Sequence, residues 1–290
     1  MKTTHNELKP VSYKKILVPV DFSDVSRSAA LYAIDIAVHL KAEVVLISIV
    51  EVMHGNSTIM NLKKLEDQMM RDADEQSSRL TKELKSGNHG VKISSVTIMG
   101  TPIEQKVLEY AADSDIDLIV MGTSGASGLK AAILGTNAAA LINRSNIPVI
   151  AIPGGVKFKS INKIVLATDM VDLDKHAKEI VRFAKVFNSS IDILHVAGTY
   201  REQRPVDELQ SMLVQMTGYP QLSLKVVLSD DITAAINNYV TEQRADLLVM
   251  FTHELGLFEK IFGKGQTRKM AFHTEVPLLA VKRTAEQMNK

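Results

Sequence analysis

The residues best suited to chemistry fall in one stretch, Gly122-Thr123-Ser124-Gly125-Ala126-Ser127-Gly128, followed by Gly135-Thr136-Asn137 and an alanine-rich run. Glycine has no Cβ and takes positive φ without penalty, so main-chain amides on such a loop can close on a phosphate. Thr136 and Asn137 are good helix N-cap residues, and a helix starting there would aim its unpaired amides at an anion. Two amide clusters of this kind would hold a di- or triphosphate. The same residues also suit a glycine-rich turn followed by an ordinary helix cap, and the stretch alone leaves both readings open.

Other chemistries find little support in the chain. No lysine stands at the G-x4-G-K-[ST] spacing of a Walker A loop, and Gly122-Thr123-Ser124-Gly125 is one residue short of a G-x-S-x-G nucleophile elbow. The 8 histidines show no metal-ligand spacing, and the lack of cysteine excludes disulfides, thiolate catalysis and cysteine-bound metal. No base positioned for attack on a γ-phosphate can be picked out, so any hydrolysis of a bound triphosphate should be slow. A net charge of +1 gives no electrostatic case for nucleic acid or an anionic membrane as partner. The polar start from Met1 to Pro10, the lack of any long apolar run and the absence of cysteine point to a soluble, cytoplasmic protein.

The elements that must position the loop come as a repeat. Lys15-Ile16-Leu17-Val18-Pro19-Val20-Asp21 resembles Lys163-Ile164-Val165-Leu166-Ala167-Thr168-Asp169, and Ile103–Met121 aligns without a gap to Ile232–Met250. That register matches Tyr110 with Tyr239, Asp117 with Asp246 and Met121 with Met250. Each half closes on a proline-led run, Ile147-Pro148-Val149-Ile150 and Val276-Pro277-Leu278-Leu279. Strands are expected at 16–20, 44–50, 91–98, 118–121 and 149–152, and again at 164–168, 191–196, 222–228, 247–250 and 278–281. Strands alternating with amphipathic stretches predict two α/β domains, each a five-stranded parallel sheet with helices on both faces. Pro153-Gly154-Gly155 is the expected turn between them, giving domains 1–153 and 154–290. Thr101, Pro102 and Glu104 suggest a capped helix start with a capping-box partner. The charged segment 58–86 is expected to be a surface helix with one face on the sheet.

In a doubly wound sheet, ligands sit at the carboxyl ends of strands where the strand order reverses. Asp21 follows the first strand and the glycine loop follows the fourth, so both should face one crevice. A carboxylate there can accept hydrogen bonds from an adenine amino group or ribose hydroxyls, although Phe22-Ser23-Asp24 also reads as a plain helix start.

The chain resembles the universal stress protein family, in its tandem form, over nearly its whole length. Gly122, Gly125, Gly135 and Thr136 match the family's G-x2-G-x9-G-[ST] nucleotide motif, and Lys15 to Ser23 looks like its first strand and following aspartate. The resemblance implies a Rossmann-like domain (the adenine nucleotide alpha hydrolase-like type) that binds ATP, with Mg²⁺ carried by the nucleotide. It implies that Asp21 contacts base and ribose, that the main chain of Ile49 meets adenine, and that Gly122, Gly125, Gly135, Thr136 and Asn137 hold the phosphates. Ser48 stands where the family often has histidine, which His195 keeps in the second half; this difference is expected to concern packing.

The second half departs from the motif. Phe251 and Glu254 replace the first two glycines and Lys264 takes the hydroxyl position, so this copy is expected to be structural or partner-facing. Lys264, Arg268 and Lys269 are expected to form a solvated basic face. The expected function is an ATP-binding stress-response switch or scaffold, with a slow ATPase or phosphotransferase and a non-nucleotide interaction module as alternatives. The two halves are expected to pair as an intramolecular pseudo-dimer, with a homodimer of chains left open.

Overall fold

The computed structural model describes residues 8–51, 59–87, 90–123, 134–198, 206–252 and 275–282. The chain divides into two compact units. The first spans Tyr13–Phe158, and the second begins at Lys159 and takes in the residues before Tyr13. The break therefore lies beyond the expected turn at Pro153. Residues 154–155 do form that turn, with Gly155 at φ +80° and Val156 N donating to Pro153 O at 3.2 Å. The chain after it stays with the first unit because Phe158 packs edge-on against Tyr32, ring centroids 5.2 Å apart. The segment from Leu8 to Ser12 joins the second unit, where Lys185 Nζ donates to Leu8 O and Val11 N donates to Arg182 O.

The first unit contains β1 (Lys15–Pro19), α1 (Asp24–Leu40), β2 (Glu43–Val50), α2 (Ile59–Ser86) and β3 (Ile93–Met99). It continues with α3 (Ile103–Asp113), β4 (Leu118–Gly122), α4 (Thr136–Arg144) and β5 (Val149–Ile152). Its strands are parallel and ordered β3-β2-β1-β4-β5. Successive side chains of a strand point to opposite faces, and Ile16, Leu17 and Val18 are all fully buried. Both faces of the sheet are thus covered, as expected for continuous apolar strands in a parallel sheet. On α1 the buried residues include Ala29, Ala30, Ala33 and Ala37, small side chains that let the helix lie close to the strands.

The second unit repeats the plan with β6 (Lys163–Thr168), α5 (Leu173–Phe187), β7 (Ser190–Ala197), α6 (Val206–Thr217) and β8 (Leu222–Leu228). α7 (Ile232–Glu242), β9 (Leu247–Thr252) and β10 (Leu278–Lys282) complete it. Its parallel strands run β10-β9-β6-β7-β8, the same connectivity. The matched aspartates do one job in both units. Asp117 Oδ2 accepts from the main-chain N–H of Lys14 and Lys15, and Asp246 Oδ2 from those of Asn162 and Lys163. Each carboxylate pins the chain entering its first strand.

The start of α3 differs from expectation. Pro102 itself holds the N-cap position, with no side-chain cap, and Thr101 lies outside the helix. Glu104 pairs with Arg144 at 3.0 Å, tying α3 to α4, instead of folding back as a capping-box partner. Among the described residues no helix is long and apolar enough to cross a membrane.

Candidate functional site

The strand order of the first unit reverses between β1 and β4, because β1 leads outward to β2 and β3 on one side and β4 to β5 on the other. A cavity of about 700 Å³ opens at the carboxyl ends of these strands. Asp21, Ile49, Gly122, Gly135, Thr136 and Asn137 all line it. Gly125, the remaining candidate, lies outside the described residues, as do Glu254, Lys264, Arg268 and Lys269 of the second half.

Register explains the convergence. Pro19 pairs with Ile47, so Asp21 and Ile49 each stand two residues further on, at the same level. Leu17 pairs with Ile119, which sets Gly122 level with Val20. Asp21 Oδ1 accepts from Ser23 N at 3.1 Å and from Ser23 Oγ at 2.6 Å. Ser23 in turn caps α1 by accepting from Ser26 N at 3.2 Å. The plain helix start and the crevice-facing carboxylate are therefore one arrangement.

At the other end of the cavity, Gly135 N donates to Thr123 O at 2.5 Å, closing the two ends of the glycine-loop segment together. The N-cap of α4 is Gly135, which carries no side-chain cap, and Thr136 and Asn137 are the first two helical residues. The expected capping by Thr136 or Asn137 is thus replaced by an N-terminus whose N-cap residue, Gly135, supplies no side chain. Such a terminus presents partial positive charge to the cavity. Gly122 is required for close approach: a Cβ there would lie 2.5 Å from Val25 Cγ1. Thr123 is 2% exposed, and its Oγ1 has no hydrogen-bond partner within the described structure.

Several lining residues were not among the site candidates of the sequence. Met69, Asp72, Ala73 and Gln76 of α2 form one wall, and Glu51 stands at the end of β2. Ser48, expected to matter for packing, is 3% exposed and also lines the cavity. Among the described lining residues Asp21, Glu51 and Asp72 are acidic and none is lysine or arginine.

The corresponding place in the second unit is filled. Phe251 occupies the position of Gly122 and stacks on His176, both rings being buried. Asp169 keeps the turn made by Asp21, with Oδ1 accepting from Val171 N at 3.1 Å. His195 Nδ1 lies 2.9 Å from Thr168 O, so its ring is tied to the neighbouring strand.

Two doubly wound parallel α/β domains, with a crevice at the point of reversal in the first, place the chain among the Rossmann-like proteins. The sequence matches the model of the universal stress protein family twice, over residues 12–153 and 160–282, and the chain belongs to that family. Universal stress protein MJ0531 of Methanocaldococcus jannaschii is 34% identical over 145 residues, covering 48% of this chain and 82% of the relative. MJ0577 of the same organism is 27% identical over 156 residues, or 49% of this chain and 96% of the relative. A universal stress protein from Archaeoglobus fulgidus shares the fold along the chain, with a TM-score of 0.70 at 18% identity over 95% of this chain and 98% of that one.

Proposed function

We propose that this universal stress protein binds ATP in its first domain and acts as a nucleotide-dependent switch or scaffold in the stress response. The observation that carries this is the single cavity shared by Asp21, the strand tip at Ile49, Gly122 and the uncapped N-terminus of α4. One end offers main-chain amides to phosphates and the other offers a carboxylate to donors on base and ribose. The cavity volume, about 700 Å³, suits a ligand of nucleotide size.

With no cationic side chain among the described lining residues, triphosphate charge falls to the amides and to a divalent cation. Mg²⁺ fits that chemistry, held mainly by phosphate oxygens, and it would screen the phosphates from the three carboxylates. The buried Thr123 hydroxyl is suited to a phosphate oxygen or a metal-bound water. The second domain, with Phe251 and His176 in the matching place, serves as a structural or partner-facing copy.

Equilibrium dialysis of the full chain with Mg-ATP tests this. Saturable binding that is lost in Gly122→Val, with the variant still folded by circular dichroism, supports it. Undiminished binding in that variant, or none in the wild type, would refute it.

A further inference from the structure

α2 does more than cover the sheet. Ser77 Oγ lies 3.4 Å from Thr97 Oγ1, and Thr97 pairs with Ser48 two residues short of the end of β2. Leu80 and Leu84, further along α2, are buried. Residues before Ser77 therefore run toward the strand tips. Met69, Asp72, Ala73 and Gln76 fall three and four apart, on one face of the helix, and all line the cavity. The stripe that seats the helix thus continues as a cavity wall, with polar side chains at Asp72 and Gln76 beside the apolar Met69 and Ala73.

We propose that this stripe is the base-selecting wall of the site, with Asp72 favouring a 6-aminopurine over its 6-oxo counterpart; the assignment rests on the nucleotide-binding function proposed above. Asp72 Oδ1 accepts from Gln68 Nε2 at 2.7 Å, which orients the carboxylate. An ionised carboxylate only accepts hydrogen bonds. It receives an amino N–H of adenine but opposes the carbonyl oxygen that hypoxanthine places there. Asp21 and Glu51 line the same cavity and add to this bias toward donors. Gln76 carries both a donor and an acceptor and can turn to satisfy either base, so it orients without selecting. Met69 is a flexible apolar surface for a ring face, and Ala73 leaves room for it.

The test compares Mg-ATP, Mg-ITP and Mg-tripolyphosphate binding to the full chain, in the wild type, Asp72→Asn and Asp74→Asn. Asp72 and Asp74 are both exposed on α2 but only Asp72 lines the cavity, so Asp74 controls for the charge change alone. The wild type should prefer ATP over ITP by about tenfold, the scale of one hydrogen bond gained against one opposed. Asp72→Asn should shrink that ratio to about threefold or less. Tripolyphosphate affinity and the Asp74→Asn ratio should stay at wild-type values. Equal wild-type affinity for ATP and ITP, an unchanged ratio in Asp72→Asn, or the same loss in Asp74→Asn would overturn the assignment while leaving nucleotide binding intact. Failure of the wild type to bind any of the three would overturn both.

Discussion

His176 and Phe251 stack face to face, with ring centroids 3.8 Å apart and planes 11° from parallel, where the first domain sets Gly122 against Val25. One repeat keeps this position bare of side chain and the other fills it with two buried rings. Loss of the glycine in the second domain is therefore coupled to a gain of core. Phe251→Ala should lower the unfolding free energy of the second domain by about 3 kcal/mol, the usual cost of emptying a buried aromatic site. ATP affinity, proposed to reside in the first domain, should not change. Chemical denaturation followed by a nucleotide titration checks both halves of this expectation.

Thr123 tests the phosphate end of the cavity. Its buried hydroxyl has no partner among the described residues, so Thr123→Val removes a polar group left uncompensated there. Without ligand the variant should be more stable by about 1 kcal/mol. If the hydroxyl serves phosphate or its metal-bound water, Mg-ATP affinity should fall about fivefold in the same protein. Thermal melts with and without Mg-ATP should show the two effects moving in opposite directions.

Ser23 links fold to site, because it caps α1 and holds Asp21. Ser23→Ala should cost about 1 kcal/mol through the lost cap. Affinity for adenosine, which has no phosphate, should weaken along with it, since the Asp21 carboxylate loses its orientation. Tripolyphosphate binding, which does not involve Asp21, should be retained.

The second domain carries a buried charge cluster with a pH signature. Asp192 is 6% exposed; Lys163 Nζ lies 2.8 Å from Oδ2, with Tyr239 OH at 3.0 Å, and Ser223 Oγ lies 2.7 Å from Oδ1. Burial opposes its ionisation, but the hydrogen bonds from Lys163, Ser223 and Tyr239 outweigh this and hold the carboxyl below its ordinary value of 3.8. A pKa lowered on folding means stability that is complete above the unfolded value and is lost as pH falls through the folded one. Stability from this cluster should therefore be flat from neutral pH down to about 4 and decline below it. Asp192→Ala should cost about 2 kcal/mol at pH 7 and flatten the decline, measured by denaturation across pH. Burial and the adjacent carboxylate also push the Tyr239 phenol well above its ordinary range, so it stays a donor throughout.

Most of the framework could be read from the chain because it rests on local periodicity. Apolar runs such as Val44 to Ile47 mark strands buried on both sides, and the repeat of Asp117 as Asp246 reflects one hydrogen-bonding task performed twice. Gly122, Gly135 and Asp21 could be placed in one crevice because the strand order fixes where strand ends meet. Details that depend on tertiary geometry could not. Pro102 at the N-cap of α3 displaces Thr101, and Gly135 at the N-cap of α4 makes Thr136 and Asn137 helical; composition alone does not set either boundary. The α2 wall was hidden because Asp72 and Gln76 are exposed helix positions, and only the placement of α2 beside the strand ends makes them line the cavity. Asp192 stands between Ile191 and Ile193 of β7, and its partners Lys163, Ser223 and Tyr239 come from three other elements.

One nucleotide site per chain, in the first domain, is the expected stoichiometry. Acid extraction of freshly purified protein, with chromatography and quantification per chain after saturation with Mg-ATP, addresses it most directly. About one adenine nucleotide per chain, falling to none in Gly122→Val, is the result expected. Two equivalent sites per chain would contradict the silent second domain, and none at all would contradict the nucleotide site itself.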